Sequence, residues 1–188
     1  MALADEFVRV YKETHPSDPV VELRLYDVAI PEIDLDLLSA WKKLAAGTPF
    51  VHLHDFEQNK ATLFDNYTEQ FLAADRVVIA NPLWNPQVPT RLKAWIDTIT
   101  RAGKTFNYGP TGEPIGLATG KRGVHLQTAG GVFGGQDPAS QYVRTVLGFI
   151  GVTDFQQVAV EGVDHEPARA DEFMHAGIVQ VRAVASTF

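Results

Sequence analysis

The residues best suited to holding a ligand lie in two short segments that each follow an apolar run. Residues 81–86 read NPLWNP after ADRVVIA, and residues 128–135 read TAGGVFGG after GVHLQ. The amide of Asn85 and the close approach that glycines allow would suit a flat ring with polar edges. The same ring would be held by free backbone N–H and C=O groups, which are expected at Leu83, Trp84, Asn85, Gly130 and Gly131. A lone NPLWNP would be more simply explained as a turn whose tryptophan packs on a neighbour. The matching glycine-rich segment favours a binding site instead.

Other patterns that could carry chemistry are weaker. The histidines of His52-x-His54-Asp55 could share one side of an extended segment, but a third metal ligand is not evident, so surface histidines are the favoured interpretation. His125 lies in an apolar run and is predicted to be a core residue. The chain lacks a G-x-S-x-G elbow, and neither GEPIGLATGKR nor GGVFGG has phosphate-loop or dinucleotide-loop spacing. Serine hydrolysis and nucleoside triphosphate binding are therefore disfavoured.

Composition narrows the class of protein further. The chain has 188 residues and a formal net charge of -7, which does not support binding to nucleic acid or to anionic membranes. It contains no cysteine, which rules out disulfides and thiol chemistry and fits a reducing cytoplasm. No apolar stretch approaches the roughly 18 residues of a membrane span. We therefore expect one cytoplasmic domain over residues 1–188, without a membrane or nucleic-acid partner.

The apolar residues recur alternately at helical and at strand spacing along the chain. The strand at 20–27 should be exposed on one side near an edge, and the strand at 77–80 should be covered on both faces. Alternating strands and helices indicate a three-layer α/β fold with a mostly parallel sheet. The pattern predicts helices at 2–14, 34–46, 56–73, 90–103, 140–150 and 166–185, and strands at 20–27, 77–80, 123–128 and 155–162.

Glycine is concentrated in one part of the chain. Twelve of the 15 glycines fall between positions 103 and 151, where loops leave the later strands. In open α/β sheets, ligands bind outside the carboxyl ends of the strands. The segments NPLWNP and TAGGVFGG should therefore lie side by side on that rim.

With the motifs between them, these two segments resemble the FMN-dependent NADH-azoreductases, relatives of the NAD(P)H:quinone reductases in the flavodoxin-like superfamily. The most specific part is NPLWNPQVPTRLKAWIDTITRAGKTFNYGPTGEPIGLATGKRGVHLQTAGG, which is similar to the family pattern P-[ML]-[YW]-N, x-P-x-x-L-K-x-[WY]-[IF]-D and R-A-G-x-T-F-x-Y. The later LGFIGV also matches. Several spaced motifs in one order are more specific than either loop alone.

The resemblance implies a flavodoxin-like fold and an enzyme in which a hydride passes from NADH to the flavin of FMN. A quinone or azo compound then accepts the electrons in a ping-pong cycle that needs no protein acid or base. The substrate pocket would be built across a homodimer, with Tyr108, Phe133 and Phe149 around it, although core packing is a strong alternative for Phe149. The implied FMN contacts are Pro82, Leu83, Trp84, Asn85, Pro86, Thr128, Ala129, Gly130 and Gly131.

The sequence departs from the family pattern in two places. The second loop usually reads S-R-G-G, whereas this chain has Thr128-Ala129-Gly130-Gly131, so an arginine contact is missing. The family also begins with a strand and a serine-rich loop for the FMN phosphate, and this sequence begins inside the helix that follows them. In the strand order 2-1-3-4-5 the missing strand is internal, so we expect residues upstream of Met1 or, without them, weak FMN binding.

Two other classes of function are alternatives to the enzyme. A non-catalytic flavodoxin-like module would bind FMN or a quinone without oxidising NADH. A hydrolase is a third possibility, because the family has carried the label acyl carrier protein phosphodiesterase, but the chain offers no evident nucleophile or metal set.

Overall fold

Three parallel strands form the centre of the fold in the computed structural model, which describes residues 2–188. The strands are β1 (Arg76–Pro82), β2 (Phe106–Tyr108), β3 (Pro114–Gly116), β4 (Arg122–Thr128) and β5 (Asp154–Val160), and the helices are α1 (Ala2–Thr14), α2 (Leu35–Ala45), α3 (Asp55–Ala73), α4 (Thr90–Ile99), α5 (Pro138–Phe149) and α6 (Ala170–Thr187). Strand β4 lies between β1 and β5, and the ladders end level at Pro82, Thr128 and Val160. A separate antiparallel hairpin joins β2 to β3.

Helices cover both faces of this sheet and give the predicted three layers. On one face, α1 and α6 bury Phe7 and Val181 against Val124 and Val158. On the other, α4 and α5 form the larger core, and α3 packs outside α4. Because even and odd positions of a strand point to opposite faces, β4 presents Val124 to the first core and the buried polar side chain of His125 to the other face.

The helix starts follow local capping chemistry. The carboxylate of Asp34 accepts the N–H of Leu37 at 3.1 Å and caps α2. The carboxylate of Asp137 accepts the N–H of Ser140 at 2.9 Å, directly before the proline that opens α5. Each cap satisfies an N–H group that has no partner inside its helix. The predicted helices are confirmed, although α4 ends at Ile99 instead of reaching residue 103.

The predicted strand at 20–27 is wrong. Residues 20–24 have no regular structure, and residues 25–27 form a turn in which the N–H of Asp27 donates to the carbonyl of Arg24 at 2.8 Å. Its backbone is held from the side by Arg91, whose guanidinium donates to the carbonyl of Leu25 at 3.0 Å. A strand needs a neighbouring strand to pair its backbone groups, and none in the described part of the chain lies beside residues 20–27.

The expectation that β1 is covered on both faces is also wrong. Val78 is 37% exposed and Ala80 is exposed, whereas every side chain from Val124 to Gln127 in β4 is buried. Within residues 2–188, β1 pairs with β4 alone and has one open edge. The hairpin of β2 and β3 was not predicted, because its three-residue strands are too short to show a period.

Candidate functional site

The two segments singled out from the sequence lie next to each other. Parallel pairing brings Pro82 opposite Thr128 at the ends of β1 and β4. The contact continues one residue further, where the N–H of Leu83 donates to the carbonyl of Thr128 at 2.8 Å. The predicted adjacency on the carboxyl rim is therefore observed. We call residues 82–86 the first loop and residues 128–131 the second loop.

The first loop is a tight turn that displays its tryptophan. The N–H of Trp84 donates to the carbonyl of Gln87 at 3.0 Å, and the N–H of Gln87 returns a bond to Trp84 at 2.9 Å. Asn85 stands at the tip with a φ of 47°, a left-handed conformation that asparagine tolerates. The indole of Trp84 is 52% exposed and touches a neighbour mainly through the edge-on ring of Tyr26, 6.2 Å away between centroids.

The second loop is fastened to the chain that follows β5. Ala129 is buried, and its N–H donates to the carbonyl of Val160 at 2.8 Å. The carbonyl of Gly130 accepts the N–H groups of Asp164 at 3.2 Å and His165 at 3.0 Å. Space here is tight, because a Cβ added to Gly130 would stand 2.2 Å from the Oδ2 of Asp164. Residues 161–165 therefore belong to the rim, which the sequence did not indicate.

Some of the backbone groups predicted to be free on the rim are used within the protein. These are the N–H groups of Leu83 and Trp84 and the carbonyls of Trp84, Gly130 and Gly131. Among residues 2–188, the N–H groups of Asn85, Gly130 and Gly131 donate to no other protein group. An isoalloxazine ring carries carbonyl oxygens and ring nitrogens that accept hydrogen bonds and become more electron-rich on reduction. Free N–H donors beside an exposed aromatic face therefore fit a flavin ring.

A row of buried polar side chains, linked by hydrogen bonds, lies directly beneath the two loops. The Nε2 of His125 is 2.8 Å from the Oδ1 of Asn81, so this nitrogen carries the proton. The amide nitrogen of Asn81 donates onward to the side-chain oxygen of Gln127 at 3.3 Å and to the carbonyl of Pro82 at 2.9 Å. The amide of Gln127 then donates to the carboxylate of Asp137 at 2.8 Å. Each donor thus points towards one carboxylate, which fixes how the amides are oriented.

Burial and hydrogen bonding together determine the protonation states of His125 and Asp137 in this row. Burial lowers the pKa of His125 from 6.5 to about 4, so the imidazole is neutral near pH 7. Burial also raises the pKa of Asp137, but hydrogen bonds from Ser140 and Gln127 outweigh it and leave that pKa below its usual value. His125 was predicted to be a satisfied core residue, and this is half right. It is fully buried, yet its Nδ1 has no hydrogen-bond partner among the described residues.

The three residues predicted to surround a substrate pocket are divided between two places. Phe133 follows the second loop, and its ring lies against Gly131. Tyr108 and Phe149 both pack on Phe106, with ring centroids 5.5 Å and 4.6 Å away. Since α5 runs back along the sheet, Phe149 at its end lies near the amino ends of the strands. One chain therefore does not bring Tyr108 and Phe149 to the rim that holds the loops.

The remaining candidates do not form a second site. His54 is stacked on Phe56 at 5.5 Å, and the described residues contain no group of three histidine, aspartate or glutamate side chains that could hold a metal ion. None of the described helices has the length and apolar character needed to cross a bilayer. Two surface concavities, of about 560 and 470 Å³, lie beside α3 and are lined by none of the loop residues.

A parallel sheet covered on both faces, with paired loops at its carboxyl edge, defines a flavodoxin-like α/β protein. The family described as the flavodoxin-like fold matches residues 1–184, and the chain belongs to this family. A protein of Bacillus cereus called FMN-dependent NADH:quinone oxidoreductase 2 is 39% identical over 193 residues, covering 100% of this chain and 91% of the relative. A Bacillus pumilus protein called FMN-dependent NADH:quinone oxidoreductase is 40% identical over 194 residues, with the same coverage.

Solved structures of azoreductases are similar to this chain in fold. The crystal structure of an azoreductase from Bacillus anthracis is 38% identical and superposes with a TM-score of 0.89, covering 100% of this chain and 90% of that one. An FMN-dependent NADH-azoreductase from the same species, solved in complex with FMN, is 29% identical with a TM-score of 0.89, covering 99% of this chain and 89% of that one. The fold that the resemblance implied is confirmed.

Sequence reasoning missed the residues that support the loops. Asn81 and Gln127 are polar residues at the ends of otherwise apolar runs, and that interruption was the available signal. Glu161 follows β5 and accepts three backbone N–H groups of residues 133–135. No local pattern marked it, since its partners lie more than 25 positions away in the chain.

Proposed function

We propose that this protein is an FMN-dependent oxidoreductase that passes electrons from NADH to quinones or azo compounds. The observation that carries the proposal is the rim itself, where the N–H groups of Asn85, Gly130 and Gly131 are free and the ring of Trp84 is exposed. Relatives named as FMN-dependent NADH:quinone oxidoreductases, and an azoreductase solved with FMN, support the same assignment.

FMN, when bound, would accept a hydride from NADH and then reduce the acceptor, with the two substrates using the site in turn. The protein's part is to hold the ring, through Pro82–Pro86 on the first loop and Thr128–Gly131 on the second. Neither loop contains a residue that titrates near neutral pH, so no protein acid or base is proposed. The donors of the rim favour electron-rich forms of the ring, because hydrogen bonds to developing negative charge are the stronger ones.

The donors also have fixed positions before any ligand arrives. The turn at Trp84 is closed by two backbone bonds with Gln87, and the second loop is bonded to the chain after β5. Beneath them, the amide of Asn81 holds the carbonyl of Pro82. When a ring binds on this rim, little conformational entropy is therefore lost by the loops. This supports a site for a tightly held cofactor over a site for a transiently bound ligand.

We propose further that the working unit is a homodimer. Within one chain, Tyr108 and Phe149 lie towards the amino ends of the strands, whereas the two loops lie at the carboxyl ends. They could complete a pocket on that rim only if a second copy supplies them. Absence of cysteine supports the cytoplasm as the compartment in which the enzyme works.

The function is tested with purified full-length protein and added FMN. We expect flavin absorbance to remain with the protein after gel filtration, and we expect NADH oxidation when menadione or a simple azo dye is present. Retention of FMN without NADH oxidation would instead identify the non-catalytic binding module. Failure to retain FMN and to reduce any such acceptor would reject both functions.

Mixing two variants tests the shared pocket. One carries Trp84→Ala and Asn85→Ala in the first loop, and the other carries Tyr108→Ala and Phe149→Ala. If each pocket draws on two copies, random pairing of inactive variants should restore about a quarter of the parental sites, because half of the dimers then hold one intact pocket. A mixture no more active than its separate components would contradict the shared pocket.

A further inference from the structure

Glu161 makes the most concentrated set of contacts to backbone N–H groups near the rim. It is half-buried and directly follows β5. One carboxylate oxygen accepts the N–H of Phe133 at 2.7 Å and that of Gly134 at 2.8 Å, and the other accepts the N–H of Gly135 at 2.7 Å. These are short, charge-assisted hydrogen bonds.

The segment it holds has the backbone form of an anion-binding turn. Gly134 and Gly135 have φ values of 62° and 69°, left-handed conformations that other residues adopt only with strain. Successive N–H groups then converge on one point, which is how loops bind phosphates and other anions. Here the anion is the side chain of Glu161, so the turn is held by a charge from the same molecule.

This arrangement determines where Phe133 lies. Its ring lies against the second loop. A Cβ added to Gly131 would be only 3.0 Å from the nearest ring carbon of Phe133. The carbonyl of Gly131 in turn accepts the N–H of Gly162 at 2.9 Å, one residue after Glu161. Glu161 and its neighbour therefore tie both the loop and the aromatic ring above it to the end of β5.

We propose that Glu161 is a positioning residue that holds Phe133 at the rim and thereby sets the affinity for the electron acceptor. This inference rests on the proposed function. Three N–H donors require an acceptor with two oxygens, and a glutamine in the same place would turn its own NH₂ group towards a donor. Glu161→Gln should therefore release the turn while keeping the size of the side chain.

The first measurement needs neither FMN nor activity. Hydrogen exchange of the backbone amides of residues 133–135 is followed in the parent and in Glu161→Gln. We expect about tenfold faster exchange in the variant, because hydrogen bonds to a charged acceptor contribute enough to slow opening by that factor or more. Glu166→Gln is the matched control, since it removes the same charge from the neighbouring loop, where Glu166 pairs with Arg169 at 3.0 Å.

The second measurement is steady-state reduction of menadione by the FMN-loaded enzyme. We expect the KM for menadione to rise about fivefold in Glu161→Gln, with FMN affinity unchanged within about twofold, because the ring of Phe133 loses its fixed place while the donors of the rim keep theirs. Gly135→Ala strains the same turn without touching the carboxylate and should raise KM in the same direction. Glu166→Gln should leave both measurements at the parental values.

Each outcome decides the proposal. Faster exchange with an unchanged KM would show that Glu161 has only a structural role, and it would overturn the assignment. Unchanged exchange in Glu161→Gln would also overturn it. A parent that retains FMN but does not reduce menadione would reject the proposed function and the acceptor role with it, while the exchange data would still show whether Glu161 holds the turn.

Discussion

Acidification between pH 7.5 and pH 5 should destabilise the protein through His125, which is fully buried in the central strand β4. Burial lowers the pKa of this imidazole from 6.5 to about 4. Above pH 6.5 neither the folded nor the unfolded chain binds the proton, so stability does not depend on this group. Between pH 6.5 and pH 4 only the unfolded chain binds it, and stability is lost as the pH falls.

The size of the effect follows from the two pKa values. Each unit of difference corresponds to about 1.4 kcal/mol, so roughly 2 kcal/mol should be lost by pH 5 and about 3 kcal/mol below pH 4. Measurements above pH 5 avoid the pH range in which most carboxylates of the unfolded chain bind protons. Glu57, for example, accepts bonds from Lys43 and Ser39, which lower its pKa from 4.5 to about 2, so its contribution is lost only below about pH 4.5.

Urea unfolding followed by far-ultraviolet circular dichroism at pH 7.5 and pH 5 measures the loss directly. His125→Gln keeps an N–H donor for Asn81 but does not titrate, so its free energy of unfolding should fall by about 2 kcal/mol less over the same interval, whatever its stability at pH 7.5. His175→Gln, on the exposed face of α6, is the control and should keep the parental dependence. Equal losses in the parent and in His125→Gln would refute the argument.

Four further predictions concern other parts of the molecule. Trp84→Ala should weaken FMN binding about tenfold in a flavin fluorescence titration while hardly changing the thermal midpoint, because the indole is 52% exposed. Gly116→Ala should destabilise the protein by about 3 kcal/mol in urea, because its Cβ would stand 2.3 Å from the backbone nitrogen of Gly151. By contrast, Gly148→Ala within α5 has open space and should stabilise it by about 0.5 kcal/mol. Glu57→Gln should lower the thermal midpoint by several degrees, since the variant leaves the amine of Lys43, now 2.7 Å from Glu57, without its carboxylate.

Local patterns were sufficient for the helices and for the buried strands. The caps at Asp34 and Asp137 and the apolar periodicity of the helices are properties of neighbouring residues, so they can be recognised without knowledge of the fold. The segment at 20–27 shows where this reasoning stops. Its alternation of apolar and polar residues is real, but a strand exists only where another strand pairs with it.

By itself, the sequence determined the helices, the α/β class and the two segments that meet on the carboxyl rim, and its resemblance to a known family implied the flavodoxin-like fold. It could do so because the apolar periodicity and the positions of glycine and proline loops are properties of contiguous residues. Only the tertiary structure decided which backbone donors of those loops remain free, that Asn81 and Gln127 support them from below, and that Glu161 holds the turn beside Phe133. Hydrogen bonds between residues far apart in the chain depend on distances that folding alone sets.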